Sequence, residues 1–194
     1  DEAVADLGSA LDHRLMRALE GKCDAVLLGA GTLRATPGLN YPEHLIRIVA
    51  TQSGSLDFGQ RFFRDPGRVL VLAPTSAELD DCPSPILRTD GCWETVLTTL
   101  FNDFGVQHLL VEGGSELNAS LLAQDVVDEL FLTIAPKVKL GRETPTYAGG
   151  EPLGRQDILP FRLVHATPVG NEVFLRYARD EEAKARTSPS GVSE

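Results

Sequence analysis

The chain has 194 residues, a hydrophobic fraction of 42%, a charged fraction of 24% and a formal net charge of −10, which suits one globular domain with a substantial core. An acidic balance of that size argues against a nucleic-acid or anionic-membrane surface, since both repel it, while leaving room for a local positive field around a phosphorylated ligand. No apolar run approaches the roughly 18 residues of a membrane span, and no secretory leader pattern is recognisable in these residues.

In chain order, Leu7, Leu11, Leu15, Ala18 and Leu19 recur at helical spacing, so residues 8–22 read as an amphipathic helix closing at Gly21. Ala25-Val26-Leu27-Leu28 reads as a buried strand running into Gly29-Ala30-Gly31-Thr32, where Pro37 and Gly38 bar a long helix. Residues 46–51 and 69–73 are two further strands, with a loop and one short turn between them over residues 52–67. Residues 91–104 form the clearest helix. Its stripe of Trp93, Val96, Leu97, Leu100, Phe101 and Phe104 is expected in the core, and Gly105 ends it. A strand over 106–111, the run Glu112-Gly113-Gly114, a helix over 115–124 and a strand over 130–135 follow. Alternation of strand and helix predicts a mainly parallel α/β sheet covered on both faces. Residues 161–168 and 172–178, around Gly170-Asn171, read as an antiparallel hairpin added at one edge. One domain over 1–179 and a disordered tail over 180–194, rich in charge and hydroxyls, complete the reading.

The three cysteines, Cys23, Cys82 and Cys92, are odd in number and fit no zinc or redox spacing, which points to reduced thiols in the cytoplasm. His13, His44, His108 and His165 are scattered without ligand spacing and read as surface or packing residues. Asp128 and Glu129 read as solvated edge charges.

Two strand ends carry glycines: Gly29-Ala30-Gly31-Thr32, and Gly113-Gly114-Ser115 leading directly into a helix. In an open α/β sheet, ligands sit beyond the carboxyl ends of the strands. Glycine lets backbone approach a phosphate, and free N–H groups at a helix start attract the anion. The plainer reading is that these glycines only make tight turns. Two such loops in one sheet favour a nucleotide site, yet neither is a G-x-G-x-x-G fingerprint or a Walker loop. Glu112, at the mouth of the second loop, either faces a pocket or caps backbone N–H groups near the helix start.

The run Asp24-Ala25-Val26-Leu27-Leu28-Gly29-Ala30-Gly31-Thr32-Leu33-Arg34-Ala35 resembles the first cofactor loop of the riboflavin-pathway pyrimidine reductases. Leu110-Val111-Glu112-Gly113-Gly114-Ser115-Glu116-Leu117, then Val127-Asp128-Glu129-Leu130 and Ile134-Ala135-Pro136, is similar to their second signature, and Glu172-Val173-Phe174-Leu175-Arg176-Tyr177 to their ending. The resemblance spans nearly the whole chain. It implies a dihydrofolate reductase-like fold, NADPH as cofactor, and hydride transfer to the ribosylamino carbon of a phosphorylated pyrimidine, converting ribosyl to ribityl. It places Gly29, Ala30, Gly31 and Thr32 along the cofactor's middle and Gly113, Gly114, Ser115, Glu116 and Leu117 at its pyrophosphate. Thr51 and Ser53, with Arg34 as a further candidate, fall near the 2′-phosphate, and the absence of a carboxylate at that strand end agrees with this. Glu112 falls beside nicotinamide and substrate as the catalytic candidate, with Thr36 and Asn40 on the substrate side. No metal is required, because hydride transfer is the cofactor's own chemistry. A homodimer is expected, since the family pairs commonly and the antiparallel edge needs cover.

The sequence departs from the family in two places. The family's Asp-Asp-Pro is replaced by Ala35-Thr36-Pro37, without an acid, and its opening Ser-x-Asp-Gly strand has no counterpart after Asp1, so an upstream strand is expected. Two other readings therefore stand beside the first: a reductase of the same fold acting on a dihydropteridine or other small substrate, and a non-catalytic NADPH-binding protein.

Overall fold

The computed structural model of the chain describes residues 8–138, 140, 146–155 and 157–180. The first helix, α1 (Ala10–Glu20), starts at Ser9, whose hydroxyl accepts from the N–H groups of Leu11 and Asp12. Such a cap is worth about 1 kcal/mol. β1 (Ala25–Gly29) follows and passes into a six-residue helix, α2 (Ala30–Ala35). That helix is too short to show apolar periodicity, which is why the sequence reading leaves it as loop.

β2 (Ile46–Ala50), β3 (Val69–Ala73), β4 (Ile86–Arg88) and β5 (Leu109–Val111) complete a five-stranded sheet in the order β4-β3-β2-β1-β5. All its pairings are parallel. Because side chains alternate across a strand, β1 feeds two cores. Val26 and Leu28 join Leu33, Tyr41, Leu45, Phe62 and Phe63 on one face. Ala25 and Leu27 join helices α3 (Trp93–Phe104) and α4 (Ser115–Ala123) on the other. No helix is long and apolar enough to cross a membrane among the described residues.

Several expectations change. The segment 52–67 holds the 3₁₀ turn Arg61–Phe63, and a second, Pro66–Arg68, follows it; the first buries Phe62 and Phe63. β4 is an additional three-residue strand. Phe101 is 57% exposed and Phe104 37% exposed, so neither is core. Phe101 sits about 100° around the helix from buried Leu100, and Phe104 lies in the last turn. The fifth strand is shorter than expected, beginning at Leu109.

The C-terminal strands β6 (Glu129–Ile134), β7 (Phe161–Val169) and β8 (Glu172–Arg179) form their own antiparallel sheet in the order β6-β8-β7. β6 thus pairs with β8 rather than joining the parallel sheet. The sequence cannot show this, since an apolar run does not specify its neighbour. α1 is tied to this sheet where Thr133 donates to Asp12 at 2.6 Å and Ser9 to Glu172 at 2.5 Å. Otherwise the α/β architecture, a mainly parallel sheet with antiparallel strands at the C-terminal end, is the one expected. Of the tail 180–194, Asp180 is described, and its N–H donates to the carbonyl of Pro160. Residues 181–194 lie outside the described residues.

Candidate functional site

The two glycine loops meet. Beyond the paired ends of β1 and β5, Glu112 donates its N–H to the Leu27 carbonyl at 2.9 Å and Gly29 donates to the Gly113 carbonyl at 2.7 Å. Gly29 caps α2 and Gly114 caps α4, and neither helix start has a side-chain cap. Their first N–H groups therefore remain available to an anion from the same end of the sheet.

The glycines serve different purposes. Gly113 has a φ of +81° and its peptide to Gly114 is cis. Gly114 lies at φ −77°, and a Cβ there would sit 3.1 Å from the Thr32 hydroxyl. At Gly31 a Cβ would meet no heavy atom within 4 Å. Packing within the chain thus does not demand a glycine at 31, and the space beside it is open to a ligand. The side chains of Ala30 and Leu117 are buried in the two cores, so only their backbone can serve a ligand. Ser115 is half-buried and Glu116 exposed.

Residues 146–150 lie over the start of α4 and were not singled out from the sequence. Asn118 donates to the Tyr147 carbonyl at 2.9 Å and Gly149 to the Ser115 carbonyl at 3.2 Å. A Cβ on Gly149 would come within 2.6 Å of the Glu116 carboxylate. The adjacent glycines Gly149-Gly150 were the available signal.

Arg34, Thr51 and Ser53 converge on one loop. Arg34, exposed in the last turn of α2, donates to the Ser55 carbonyl at 3.1 Å, and the Ser53 hydroxyl accepts from the Ser55 N–H at 3.3 Å. Thr51 is buried, and its hydroxyl accepts from the Gly54 N–H at 3.1 Å. Thr51 therefore shapes the loop while Arg34 and Ser53 stay accessible. Gly54, one of the glycines that mark 52–67 as a loop, has a φ of +80°, and a Cβ there would lie 2.1 Å from the Glu78 carbonyl oxygen.

Glu112 is half-buried rather than open to solvent. Its Oε2 accepts from the Tyr41 hydroxyl at 2.7 Å, while its Oε1 is buried without a hydrogen-bond partner. Glu20, the buried last residue of α1, reaches the same carboxyl, and Arg17 pairs with Glu20 at 2.7 Å. Burial raises the Glu112 carboxyl above the ordinary range; the Tyr41 hydrogen bond opposes this and the Glu20 charge reinforces it. Burial likewise pushes the Tyr41 phenol up.

Arg17 also donates to the Asn40 carbonyl at 2.7 Å, which brings the neighbour of Tyr41 to this cluster. Thr36 caps the end of α2, its N–H donating to the Thr32 carbonyl. Tyr41, Glu20 and Arg17 gave no motif signal. All four histidines are exposed, and Glu129 is exposed and paired with Arg176, in line with the sequence reading.

The chain is 24% identical over 189 residues to a 2,5-diamino-6-ribosylamino-4(3H)-pyrimidinone 5′-phosphate reductase of Methanothermobacter thermautotrophicus, covering 89% of this chain and 88% of that protein. A protein of the same name from Archaeoglobus fulgidus is 27% identical over 162 residues, covering 72% of this chain and 74% of the relative. The structure of Acinetobacter baumannii RibD superposes with a TM-score of 0.76 at 19% identity, covering 90% of this chain and 52% of RibD. The chain thus spans about half the length of that RibD protein, and the likeness concerns the fold. The model of the RibD C-terminal domain matches residues 2–175, a stretch that takes in both glycine loops and Glu112, so the chain belongs to the RibD C-terminal domain family.

Proposed function

We propose that the chain is an NADPH-dependent oxidoreductase that reduces a phosphorylated ribosylaminopyrimidine of riboflavin synthesis to its ribitylamino form. The carrying observation is the meeting of two uncapped, glycine-led helix starts, Gly29 with α2 and Gly114 with α4, joined by the Gly29–Gly113 hydrogen bond. Free N–H groups and the vacant space at Gly31 suit a pyrophosphate there. Gly29, Ala30, Gly31 and Thr32 would line the middle of the cofactor and Gly113 to Leu117 would hold its pyrophosphate, Ala30 and Leu117 through their backbone. Arg34 and Ser53 would take its 2′-phosphate, and Thr51 would shape their loop. When bound, NADPH supplies the hydride. The chain's part is to orient nicotinamide and substrate and to present Glu112 beside them. Thr36 and Asn40 complete the substrate side, and the names of the two archaeal relatives support the substrate class.

Residues 1–179 act as one reductase domain in this reading. Three free thiols suit the cytoplasm. A homodimer forms through the C-terminal sheet. Leu130, Leu132, Ile134, Leu163, Leu175 and Tyr177 share its face away from α1, by the cross-strand register and the Thr133–Asp12 bond. Ile134 and Leu163 on that face are 57% and 53% exposed.

The test follows reduced-nicotinamide absorbance with the phosphorylated ribosylaminopyrimidine as substrate and dihydrofolate in parallel. Turnover of the pyrimidine is expected. Turnover of dihydrofolate alone would make the protein a same-fold reductase with another substrate. Tight NADPH binding without turnover of either would favour the non-catalytic reading.

A further inference from the structure

Two carboxyl groups within hydrogen-bonding reach present four acceptor oxygens and no donor unless one of them carries a proton. Glu112 and Glu20 stand in this relation. The other positions around them are already assigned. Tyr41 donates to Oε2 of Glu112, and Arg17 donates to Oε2 of Glu20. What remains is Oε1 of Glu112, buried and without a partner. Glu20 is only 2% exposed, which leaves little room for water to serve it.

We infer that Glu112 carries a proton on Oε1 at neutral pH and donates it to Glu20, so that Arg17, Glu20, Glu112 and Tyr41 form one hydrogen-bonded chain and Glu20 is the positioning residue of Glu112. Each link then has a donor and an acceptor: guanidinium to Glu20, Glu112 to Glu20, phenol to Glu112. Glu112 then adds no charge beside the Arg17–Glu20 pair.

The ionisable groups facing Glu112 are Tyr41 from the loop after α2, Glu20 and Arg17 from α1, and Cys23 from the turn into β1. Tyr41 and Cys23 are both pushed towards their neutral forms, chiefly by burial. Arg17 is the cation among these groups and is already paired with Glu20, so it does not force a second carboxylate into existence. The raised position of the Glu112 carboxyl agrees with the geometry.

The consequence for the site rests on the function proposed above. NADPH and a phosphorylated substrate are both anionic, and the chain already carries a net charge of −10. A neutral Glu112 keeps a further negative charge away from the place where they meet, and it keeps a proton beside the reacting groups. That the proton is held at all does not depend on that reading.

The test uses the ligand-free protein labelled with isotopic glutamate and infrared spectroscopy at pH 7. A protonated-carboxyl band is expected in the parent and absent from Glu112→Gln, which removes the acid. It is also expected to be absent from Glu20→Leu, which removes the acceptor and leaves Arg17 unpaired near Glu112, so that Glu112 ionises. A merely structural Glu20 would not produce this second loss. A parent without the band, or a band that survives Glu20→Leu, overturns the inference. If either variant fails to fold, the parent decides alone. Its band should be present at pH 7, and its absence there overturns the proposal. Binding of NADPH is titrated separately. Binding without the band removes this inference only, whereas the band without binding removes the proposed function only.

Discussion

Gly29 donates its backbone N–H to the carbonyl oxygen of Gly113 at 2.7 Å, joining the loop that ends β1 to the loop that ends β5. The two strands are neighbours in the sheet, so their chain exits lie side by side, and each exit starts a helix without a side-chain cap. The convergence of N–H groups at one end of the sheet follows from that adjacency.

Gly31→Ala separates cofactor space from fold requirement. Gly31 lies within α2, and a Cβ there meets nothing within 4 Å. Alanine should therefore raise stability by up to about 1 kcal/mol through helix propensity. It should weaken NADPH at least about tenfold if the pyrophosphate passes over this position. Fluorescence titration and a denaturant melt measure the two effects. Stabilisation with unchanged affinity would move the pyrophosphate elsewhere.

The 2′-phosphate loop makes a prediction about cofactor choice. Arg34→Ala should reduce the preference for NADPH over NADH about ten- to a hundredfold, since a hydrogen bond to a charged group is worth about 1.5–3 kcal/mol. Ser53→Ala should produce a smaller loss in the same direction. Thr51→Ala should lower stability instead, because Thr51 is buried and accepts from Gly54. The measured quantity is the ratio of the two dissociation constants, and an unchanged ratio in Arg34→Ala would take that residue out of the site.

Gly54 should tolerate no other residue. Its φ of +80° and the 2.1 Å that would separate a Cβ there from the Glu78 carbonyl oxygen make Gly54→Ala both strained and overpacked. A loss of at least about 2 kcal/mol is expected by urea denaturation. A loss below about 0.5 kcal/mol would mean that this loop moves aside easily.

Asp24 sets an acid limit. Its Oδ2 accepts from the N–H groups of Gln107 at 2.9 Å and His108 at 2.8 Å, clamping the start of β1 to that of β5. The His108 N–H, then that of Gln107, holds the carboxyl below its ordinary range. A depressed folded-state value contributes stability above the unfolded value of about 3.9, and that contribution disappears as pH falls through the folded value. Asp24→Asn should lose at most about 1 kcal/mol at pH 7, because the side chain is 45% exposed. Its thermal midpoint should also fall less steeply than the parent's below about pH 4. Parallel midpoint curves in acid would remove Asp24 as the cause.

Ile134→Glu tests the dimer. A carboxylate at the end of β6, on the exposed apolar face of the sheet, should shift the chain from dimer to monomer in sedimentation velocity and leave the fold intact by circular dichroism. A parent that already sediments as a monomer at micromolar concentration would refute the dimer directly.

Much of the fold is written in local pattern. Ala25-Val26-Leu27-Leu28 forms a strand buried on both faces because nothing polar interrupts it, and the same holds for Val69 to Ala73. Trp93, Val96 and Leu100 bury one line of α3, and Gly105, at φ +69°, ends it. The glycines at 29, 31, 113 and 114 were visible as strand-end loops because such residues are informative one at a time. Whether β6 would join the parallel sheet or pair with β8 was decided by tertiary structure, since an apolar strand carries no record of its neighbour. Which side of the α3 stripe faces the sheet, burying Leu100 and leaving Phe101 exposed, was likewise decided by packing. The partners of Glu112 were decided in the same way. Tyr41 and Glu20 have no motif and are far from it in the chain, and only the packing of α1 and the post-α2 loop against the end of β5 brings a phenol and a second carboxyl to its side.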